Sequence, residues 1–277
     1  MNFLDFWRER RREFDAVFLD IDGTVISGRK SLPRAAEMLE SFDREGVPYL
    51  FLTNDANHSP EQKAAIVRRA GLAVAASKIV SAGSALSNWA AESGETGKTY
   101  FMMGDLGTPC YAAAAGIVTV NDPAKLDSCA GVLVGEDYYD WYEVFFEVFN
   151  FFQRRPDAKL VSPSPDICWA GWKRDGFGLG AGAVAEALQL WLHHQNIELP
   201  IVFLGKPHHS IFECALLRLG LSDPSRVIML GDSLRGDVVG ANRCGVTSGL
   251  LLTGITDRKA ASAARGERRP QFVFEGL

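Results

Sequence analysis

The sequence predicts an α/β protein built on a parallel sheet, because short apolar runs that end in polar residues alternate with helical segments. Three apolar runs, at residues 16–19, 49–52 and 227–230, each give way abruptly to polar residues. Such runs are typical of buried parallel strands that end in a loop. Helical patterns lie at 33–44 and from 59 to about 70. Strands that alternate with helices in this way indicate a parallel sheet.

The individual elements follow from local signals. The helix at 33–44 has one apolar stripe and stops at Gly46, a common helix terminator. The next helix has Ser59 as its predicted N-cap and Pro60 at its first position, which are the preferred residue types there. Towards the end of the chain, a helix at about 237–244 and a strand at about 249–252 repeat the alternation.

The length of 277 residues suits two domains rather than one. Between residues 81 and 204 the sequence pattern changes: this segment contains glycine-rich turns, an aromatic stretch and a second set of predicted α/β elements. A segment of about 120 residues is too long for a loop within a compact domain. We therefore predict a Rossmann-like domain made of residues 1–80 and 205–277, with residues 81–204 forming an inserted α/β domain.

Composition excludes several classes of function. The formal net charge is −5, which argues against binding to nucleic acid or to an anionic membrane. Five scattered cysteines without a CxxC pair favour a reduced, cytoplasmic setting. The first fifteen residues do not have the pattern of a signal peptide, and no apolar run reaches the length of a membrane span.

The chemistry-bearing residues begin with two aspartates directly after the first strand. Asp20 and Asp22 stand on the loop with Gly23, where a glycine lets the backbone approach an anion. One carboxylate can act as a nucleophile and the other as general acid and base. Two neighbouring anions need a cation, and Asp232 and Asp237 add hard oxygen ligands that suit Mg²⁺.

Three further residues point to phosphoryl transfer. Thr53 and Asn54 follow the second strand and offer a hydroxyl and an amide to phosphoryl oxygens. Lys206 follows the apolar run at 201–204 and supplies an ammonium group that can neutralise both nucleophile and phosphate. An aspartate pair alone also occurs as a simple helix cap; four separated motifs in one order favour the chemical interpretation.

Those motifs resemble a known family, the phosphatases of the haloacid dehalogenase superfamily, and in particular their NagD-like branch, class IIA. The matching stretches are Asp20 to Thr24 (DIDGT), Thr53-Asn54, Gly205-Lys206-Pro207, and Gly231 to Asp237 (GDSLRGD). The long insertion lies between the second and third motifs, as it does in that branch. The resemblance covers nearly the whole chain and is weakest before Asp15 and after Thr256.

The resemblance implies a role for each matching residue. Asp20 attacks phosphorus to form an aspartyl-phosphate, and Asp22 protonates the leaving oxygen and later deprotonates water. Mg²⁺ is held by Asp20, by the backbone carbonyl of Asp22, by Asp232, and by Asp237 either directly or through water. Gly23, Thr53, Asn54 and Lys206 bind the phosphate. The inserted domain acts as a cap over the substrate, and two copies of the chain pair through it.

Substrate choice is predicted to reside in the loop of the inserted domain that contains Ser164 and Asp166. In the family this loop has the pattern Thr-Asn-x-Asp, so Asp166 matches whereas Ser164 stands where asparagine is usual. The aromatic segment 168–172 that follows is predicted to be a loop. Its Trp169 and Trp172 could either stack on a ring of the substrate or simply pack within the protein.

The sequence thus predicts a Mg²⁺-dependent phosphatase that hydrolyses a small phosphorylated metabolite. Two alternatives stay open at this point. One is a phosphotransferase or mutase, in which the phosphoryl group passes to an acceptor other than water. The other is a non-catalytic protein that binds a phosphorylated ligand on the same scaffold. The presence of both Asp20 and Asp22 favours an enzyme over the latter.

Overall fold

The computed structural model describes residues 1–136, 140–172 and 176–277, which form two compact units. The first unit comprises Met1–Thr53, Pro60–Val80 and Lys206–Leu277, and the second comprises Asn54–Ser59 and Ser81–Gly205. These bounds differ from the predicted domains chiefly at residues 54–59. That short segment belongs to the second unit, where for example the Tyr111 hydroxyl donates to the carbonyl of His58 at 2.8 Å.

Strands and helices alternate along most of the chain. The strands are β1 Ala16–Leu19, β2 Ile26–Ser27, β3 Lys30–Ser31, β4 Tyr49–Thr53, β5 Ile79–Ser81, β6 Thr99–Met103, β7 Val118–Val120, β8 Gly131–Val134, β9 Lys159–Ser162, β10 Cys168–Trp172, β11 Gly176–Leu179, β12 Ile201–Phe203, β13 Val227–Gly231, β14 Thr247–Leu251 and β15 Phe272–Phe274. The helices are α1 Phe3–Arg10, α2 Ala35–Glu45, α3 Pro60–Arg69, α4 Ala85–Glu92, α5 Tyr111–Ala114, α6 Trp141–Arg154, α7 Ala181–His193, α8 His209–Leu219, α9 Val239–Arg243 and α10 Arg258–Ala263.

The first unit is built on a six-stranded sheet with the order β15-β14-β13-β1-β4-β5. β1 pairs in parallel with both β13 and β4, and β13 and β14 continue the parallel ladder. From β1 the chain moves to one side through β4 and β5, and it later returns to the other side through β13. The strand order therefore changes direction at β1 and β13, which is where open parallel sheets bind ligands.

The core of the first unit includes the beginning of the chain. α1 buries Phe3, Phe6 and Trp7 completely or nearly so. The rings of Phe3 and Phe6 lie 5.5 Å and 5.1 Å from that of Phe274 in β15, as measured between ring centroids. The aromatic residues of α1 thus cover one end of the sheet, while its arginines remain on the surface or, like Arg10, lie over the Phe272 ring.

The second unit has its own parallel sheet, with the order β12-β9-β8-β6-β7. β8 is buried along its whole length, as expected for a parallel strand covered on both faces. The predicted loop at 168–172 is wrong. These residues form β10, which pairs with β11 in an antiparallel hairpin, and the Trp169 ring lies where a side chain on Gly178 would otherwise be. The side chain of Trp172 lies outside the described residues.

A buried carboxylate ties together several elements of the second unit. Glu95 is only 2 % exposed and accepts hydrogen bonds from Lys98 at 3.1 Å, from the Tyr100 hydroxyl at 2.8 Å, and from Lys159. Burial raises the pKa of Glu95, but the hydrogen bonds from Lys159, Tyr100 and Lys98 outweigh burial, so the pKa lies below its ordinary value. The network connects β6 and β9 with the segment that follows α4.

Glu95→Gln is expected to lower the free energy of unfolding by about 2 kcal/mol at neutral pH, because it removes a buried charge that three donors stabilise. A carboxyl with a depressed folded-state pKa stabilises the fold above its unfolded-state pKa, and this contribution is lost as the pH falls through the folded-state pKa. Urea unfolding from pH 7 down to about pH 3 should therefore show the difference between variant and wild type shrinking. Glu92 is an exposed neighbour, and Glu92→Gln is the control. A loss of unfolding free energy in Glu95→Gln that does not change with pH would contradict this explanation.

The two parallel sheets and the helices between their strands confirm the predicted α/β fold. Within the described residues, none of the helices has the length and apolar character needed to cross a bilayer.

Candidate active site

Sheet geometry brings two aspartates of the first unit together. β1 and β13 are adjacent and parallel, with Leu19 opposite Leu230. The backbone N–H of Asp20 extends this ladder by donating to the Leu230 carbonyl at 2.8 Å. Asp20 directly follows β1 and Asp232 directly follows β13, so both carboxyl groups lie at the same edge. With Asp237 they form a cluster in which one carboxylate oxygen from each of the three residues lies within 4.8 Å of the others.

Lys206 neutralises part of this cluster. Its Nζ donates to Oδ1 of Asp20 at 2.6 Å and to Oδ1 of Asp237 at 2.7 Å. All three side chains are buried or nearly so, with Lys206 5 % exposed. Burial lowers the pKa of Lys206, yet the charges of Asp20 and Asp237 more than offset it, and the net shift is upward. Lys206 is therefore a fixed cation beside the predicted nucleophile.

One lysine does not balance three carboxylates. Burial raises the pKa of Asp20 well above its usual range; Lys206 lowers it, and the neighbouring Asp237 and Asp232 raise it further. Burial and the charge of Asp237 also raise the pKa of Asp232 to about 6. The site is short of positive charge, and a second cation would favour the ionised form of these groups.

Two glycines leave room for the Asp232 carboxylate. Gly23 has a φ of +78°, and a side chain there would collide with Oδ2 of Asp232. A side chain at Gly254 would meet the same oxygen. The N–H of Ile255 donates to that Oδ2 at 2.7 Å, and the Thr253 hydroxyl donates to the Gly23 carbonyl at 2.6 Å. The loop from Thr253 to Ile255 was not predicted as part of the site, although it follows a predicted strand just as the other site loops do.

The cluster fits a divalent metal ion. Its donors are hard carboxylate oxygens from Asp20, Asp232 and Asp237, the ligand type that Mg²⁺ and Ca²⁺ prefer. Both oxygens of Asp237 already accept hydrogen bonds, one from Lys206 and one from the Ser233 N–H at 3.0 Å. Asp20 and Asp232 are therefore better placed than Asp237 to bind a metal directly.

Asp22 and Thr53 occupy the same end of the first unit. Thr53 is the last residue of β4, the other neighbour of β1, and it is 5 % exposed. Asp22 has a side chain that is 65 % exposed, and its Oδ2 lies 3.2 Å from Nζ of Lys63 in α3. Lys63 was not predicted as a site residue. The sequence feature that could have revealed it is a lysine on the helix face that otherwise carries apolar residues.

Asn54, Ser164 and Asp166 belong to the second unit. The Asn54 side-chain amide donates to Oδ1 of Asp166 at 2.8 Å. Ser164 is buried, and its hydroxyl accepts the backbone N–H of Asp166 at 3.4 Å. The predicted roles of Asn54 in phosphate binding and of Ser164 and Asp166 in substrate choice stay predictions. The structure shows that these residues form one hydrogen-bonded group.

Glu136 adds a further ionisable group to the second unit. Its pKa is raised to about 7, chiefly by burial and then by the charge of Asp55, while a hydrogen bond from the backbone N–H of Ala181 opposes the shift. The His58 ring nitrogen Nδ1 lies 2.9 Å from the Asp55 carboxylate. Glu136, Asp55 and His58 were not predicted as site residues.

Comparison with protein families gives two matches that together span more than half of the chain. Residues 17–118 match the model described as haloacid dehalogenase-like hydrolase. Residues 203–277 match a second model, described as HAD-hydrolase-like. The two matched regions contain every residue of the acidic cluster and Lys206.

Individual proteins are similar over nearly the full length. The acid sugar phosphatase of Staphylococcus saprophyticus is 27 % identical over 266 residues, which cover 96 % of both proteins. The structure of NagD from Escherichia coli K-12 superposes with a TM-score of 0.80 at 22 % identity, covering 95 % of this chain and 96 % of NagD. The glycerol phosphate phosphatase of Mycobacterium tuberculosis, solved in complex with magnesium, has a TM-score of 0.80 at 24 % identity, covering 95 % of this chain and 75 % of that one.

Proposed function

Because the chain belongs to the haloacid dehalogenase-like hydrolases, in their NagD-like class IIA branch, and is a phosphatase, we propose that it hydrolyses small phosphomonoesters with Mg²⁺ through an aspartyl-phosphate. The observation that carries this proposal is the pairing of Asp20 with Lys206 at 2.6 Å inside a cluster of three carboxylates. A buried nucleophile, a fixed cation and a place for a second cation are what phosphoryl transfer requires.

In this proposal Asp20, Asp232 and the backbone carbonyl of Asp22 hold the metal ion, and Asp237, whose two oxygens already accept hydrogen bonds, acts directly or through water. When bound, Mg²⁺ supplies positive charge that neutralises the phosphoryl oxygens and the carboxylates around them. The acid sugar phosphatase and the magnesium-bound glycerol phosphate phosphatase support this choice of metal and substrate class.

The chain's own residues carry out two displacement steps. In the first, an Asp20 carboxylate oxygen forms a bond to phosphorus while the bond to the leaving oxygen breaks, and Asp22 gives that oxygen a proton. In the second, water attacks phosphorus and gives a proton to Asp22, while the bond between phosphorus and Asp20 breaks. Inorganic phosphate leaves and both carboxyl groups return to their starting state. Lys206 holds Asp20 in place and stabilises charge on the phosphoryl group.

Metal removal tests this function. Full-length protein treated with EDTA is expected to release no phosphate from p-nitrophenyl phosphate or from a panel of sugar phosphates and glycerol phosphate, and added Mg²⁺ should restore release. Quenching a turnover reaction with borohydride should convert the phosphorylated Asp20 to homoserine, which mass spectrometry detects.

The thermal unfolding temperature of the EDTA-treated protein provides the control that the fold is intact. Full activity after metal removal would contradict the metal requirement. Transfer of the phosphoryl group to an added alcohol in preference to water would instead identify a phosphotransferase.

A further inference from the structure

Lys63 is an unusual residue for its place in α3. The buried positions of this helix are Lys63, Ala64 and Val67, followed by Ala70 just after its end. Positions 63, 67 and 70 are spaced by four and three residues, so they share one helix face. An apolar side chain is expected at the first of them. The sequence has a lysine, which is only 7 % exposed.

A buried ammonium group at this position is costly. Taking a lysine out of water is unfavourable unless an anion compensates for it. Lys63 is the fourth residue of α3, near the positive end of the helix dipole, which disfavours a cation further. Residues that break a local rule in this way are often retained for function.

Lys63 contacts the predicted acid and base, Asp22. Its Nζ donates to Oδ2 of Asp22 at 3.2 Å. The two partners differ greatly in exposure: the Lys63 side chain is 8 % exposed and that of Asp22 is 65 % exposed. The lysine stem is therefore held by packing, whereas Asp22 on its own would be free to adopt several rotamers.

We propose that Lys63 is a positioning residue, which holds the Asp22 side chain in the one orientation that transfers a proton to the leaving oxygen. An ammonium group has three donors and no acceptor, so Oδ2 of Asp22 must accept in this pair. The proton of the neutral acid then resides on Oδ1, the oxygen that Lys63 does not bind. Proton transfer requires the donor atom to lie within hydrogen-bond reach of its target.

This role depends on the acid and base function proposed for Asp22, and it predicts a dependence on the leaving group. Phenolate is a poor leaving group and needs a proton, whereas p-nitrophenolate leaves readily without one. The ratio kcat/KM reports the steps up to departure of the leaving group and is not affected by later hydrolysis of the intermediate. Phenyl phosphate and p-nitrophenyl phosphate thus form a matched pair of substrates.

Lys63→Met keeps an unbranched side chain of similar length on the buried face. We expect its kcat/KM to fall about 10-fold for phenyl phosphate and at most about 2-fold for p-nitrophenyl phosphate, since only the first substrate relies on the acid. The unfolding temperature should not fall, because an apolar side chain suits this face. Arg69→Met, at an exposed position of the same helix, is the control and should change neither substrate's rate.

Two more variants separate the possible failures. Asp22→Asn should show the same preference for p-nitrophenyl phosphate more strongly; if it shows none, the function proposed for Asp22 fails. If Asp22→Asn shows the preference but Lys63→Met lowers kcat/KM equally for both substrates, or for neither, the role of Lys63 is overturned. Lys63→Gln retains a hydrogen-bond donor, so its kcat/KM for phenyl phosphate should lie between those of Lys63→Met and the wild type. A kcat/KM of Lys63→Gln as low as that of Lys63→Met would also contradict positioning by this hydrogen bond.

Discussion

Asp20→Asn is expected to lower kcat for p-nitrophenyl phosphate by about 10⁴-fold or more, because a carboxamide cannot form the phosphorylated intermediate. The substitution keeps the size of the side chain and leaves Lys206 paired with Asp237 at 2.7 Å. Steady-state and single-turnover rates with Mg²⁺ measure the effect. Borohydride trapping should detect no modified residue at position 20.

The fold should tolerate this loss. Burial and the charges of Asp237 and Asp232 raise the pKa of Asp20 more than Lys206 lowers it, so the net shift is upward. Removing an ionised group that the folded state disfavours should leave the unfolding temperature unchanged or raise it. Because asparagine can deamidate to aspartate, Asp20→Ala is a useful second variant. Turnover at the wild-type rate in both variants would rule out Asp20 as the nucleophile.

The sequence was sufficient to place Asp20 and Asp232 at strand ends because the rules involved are local. Apolar runs that end in aspartate predict strands and their final residues, and adjacent parallel strands must end at one edge of a sheet. Asp20 after β1 and Asp232 after β13 therefore had to lie close together once these strands paired, although more than 200 positions separate them in the chain. No knowledge of side-chain packing was needed.

Other parts of the site depend on tertiary packing, which the sequence does not display locally. Asn54 follows Thr53 directly, yet the two residues belong to different compact units, since Asn54 donates to Asp166, 112 residues away. Lys63 was overlooked because a lysine in a helix is ordinarily a solvated residue. The hairpin of β10 and β11 was missed because glycines interrupt both strands, which is more common in loops.

Lys206→Met is expected to reduce kcat/KM about 10²- to 10³-fold, the usual effect of losing one group that stabilises transition-state charge. It should also destabilise the fold in EDTA at about pH 8 by about 3 kcal/mol, because Asp20 and Asp237 lose a buried partner. Lys30→Met, at an exposed position of the same unit, controls for the loss of a lysine and should leave both measurements unchanged.

The stability deficit of Lys206→Met should depend on pH and on metal. Lys206 lowers the pKa of Asp20 and of Asp232, so its removal raises both further. A carboxyl with a raised folded-state pKa destabilises the fold above that pKa, and the penalty disappears as the pH falls below the unfolded-state value. Chemical unfolding at about pH 8 and about pH 5 should therefore show a smaller deficit at the lower pH. Added Mg²⁺ should stabilise the variant more than the wild type, because it restores the missing positive charge. A deficit that changes with neither pH nor Mg²⁺ would mean that packing of the lysine stem, and not charge balance among the three carboxylates, is what Lys206 contributes.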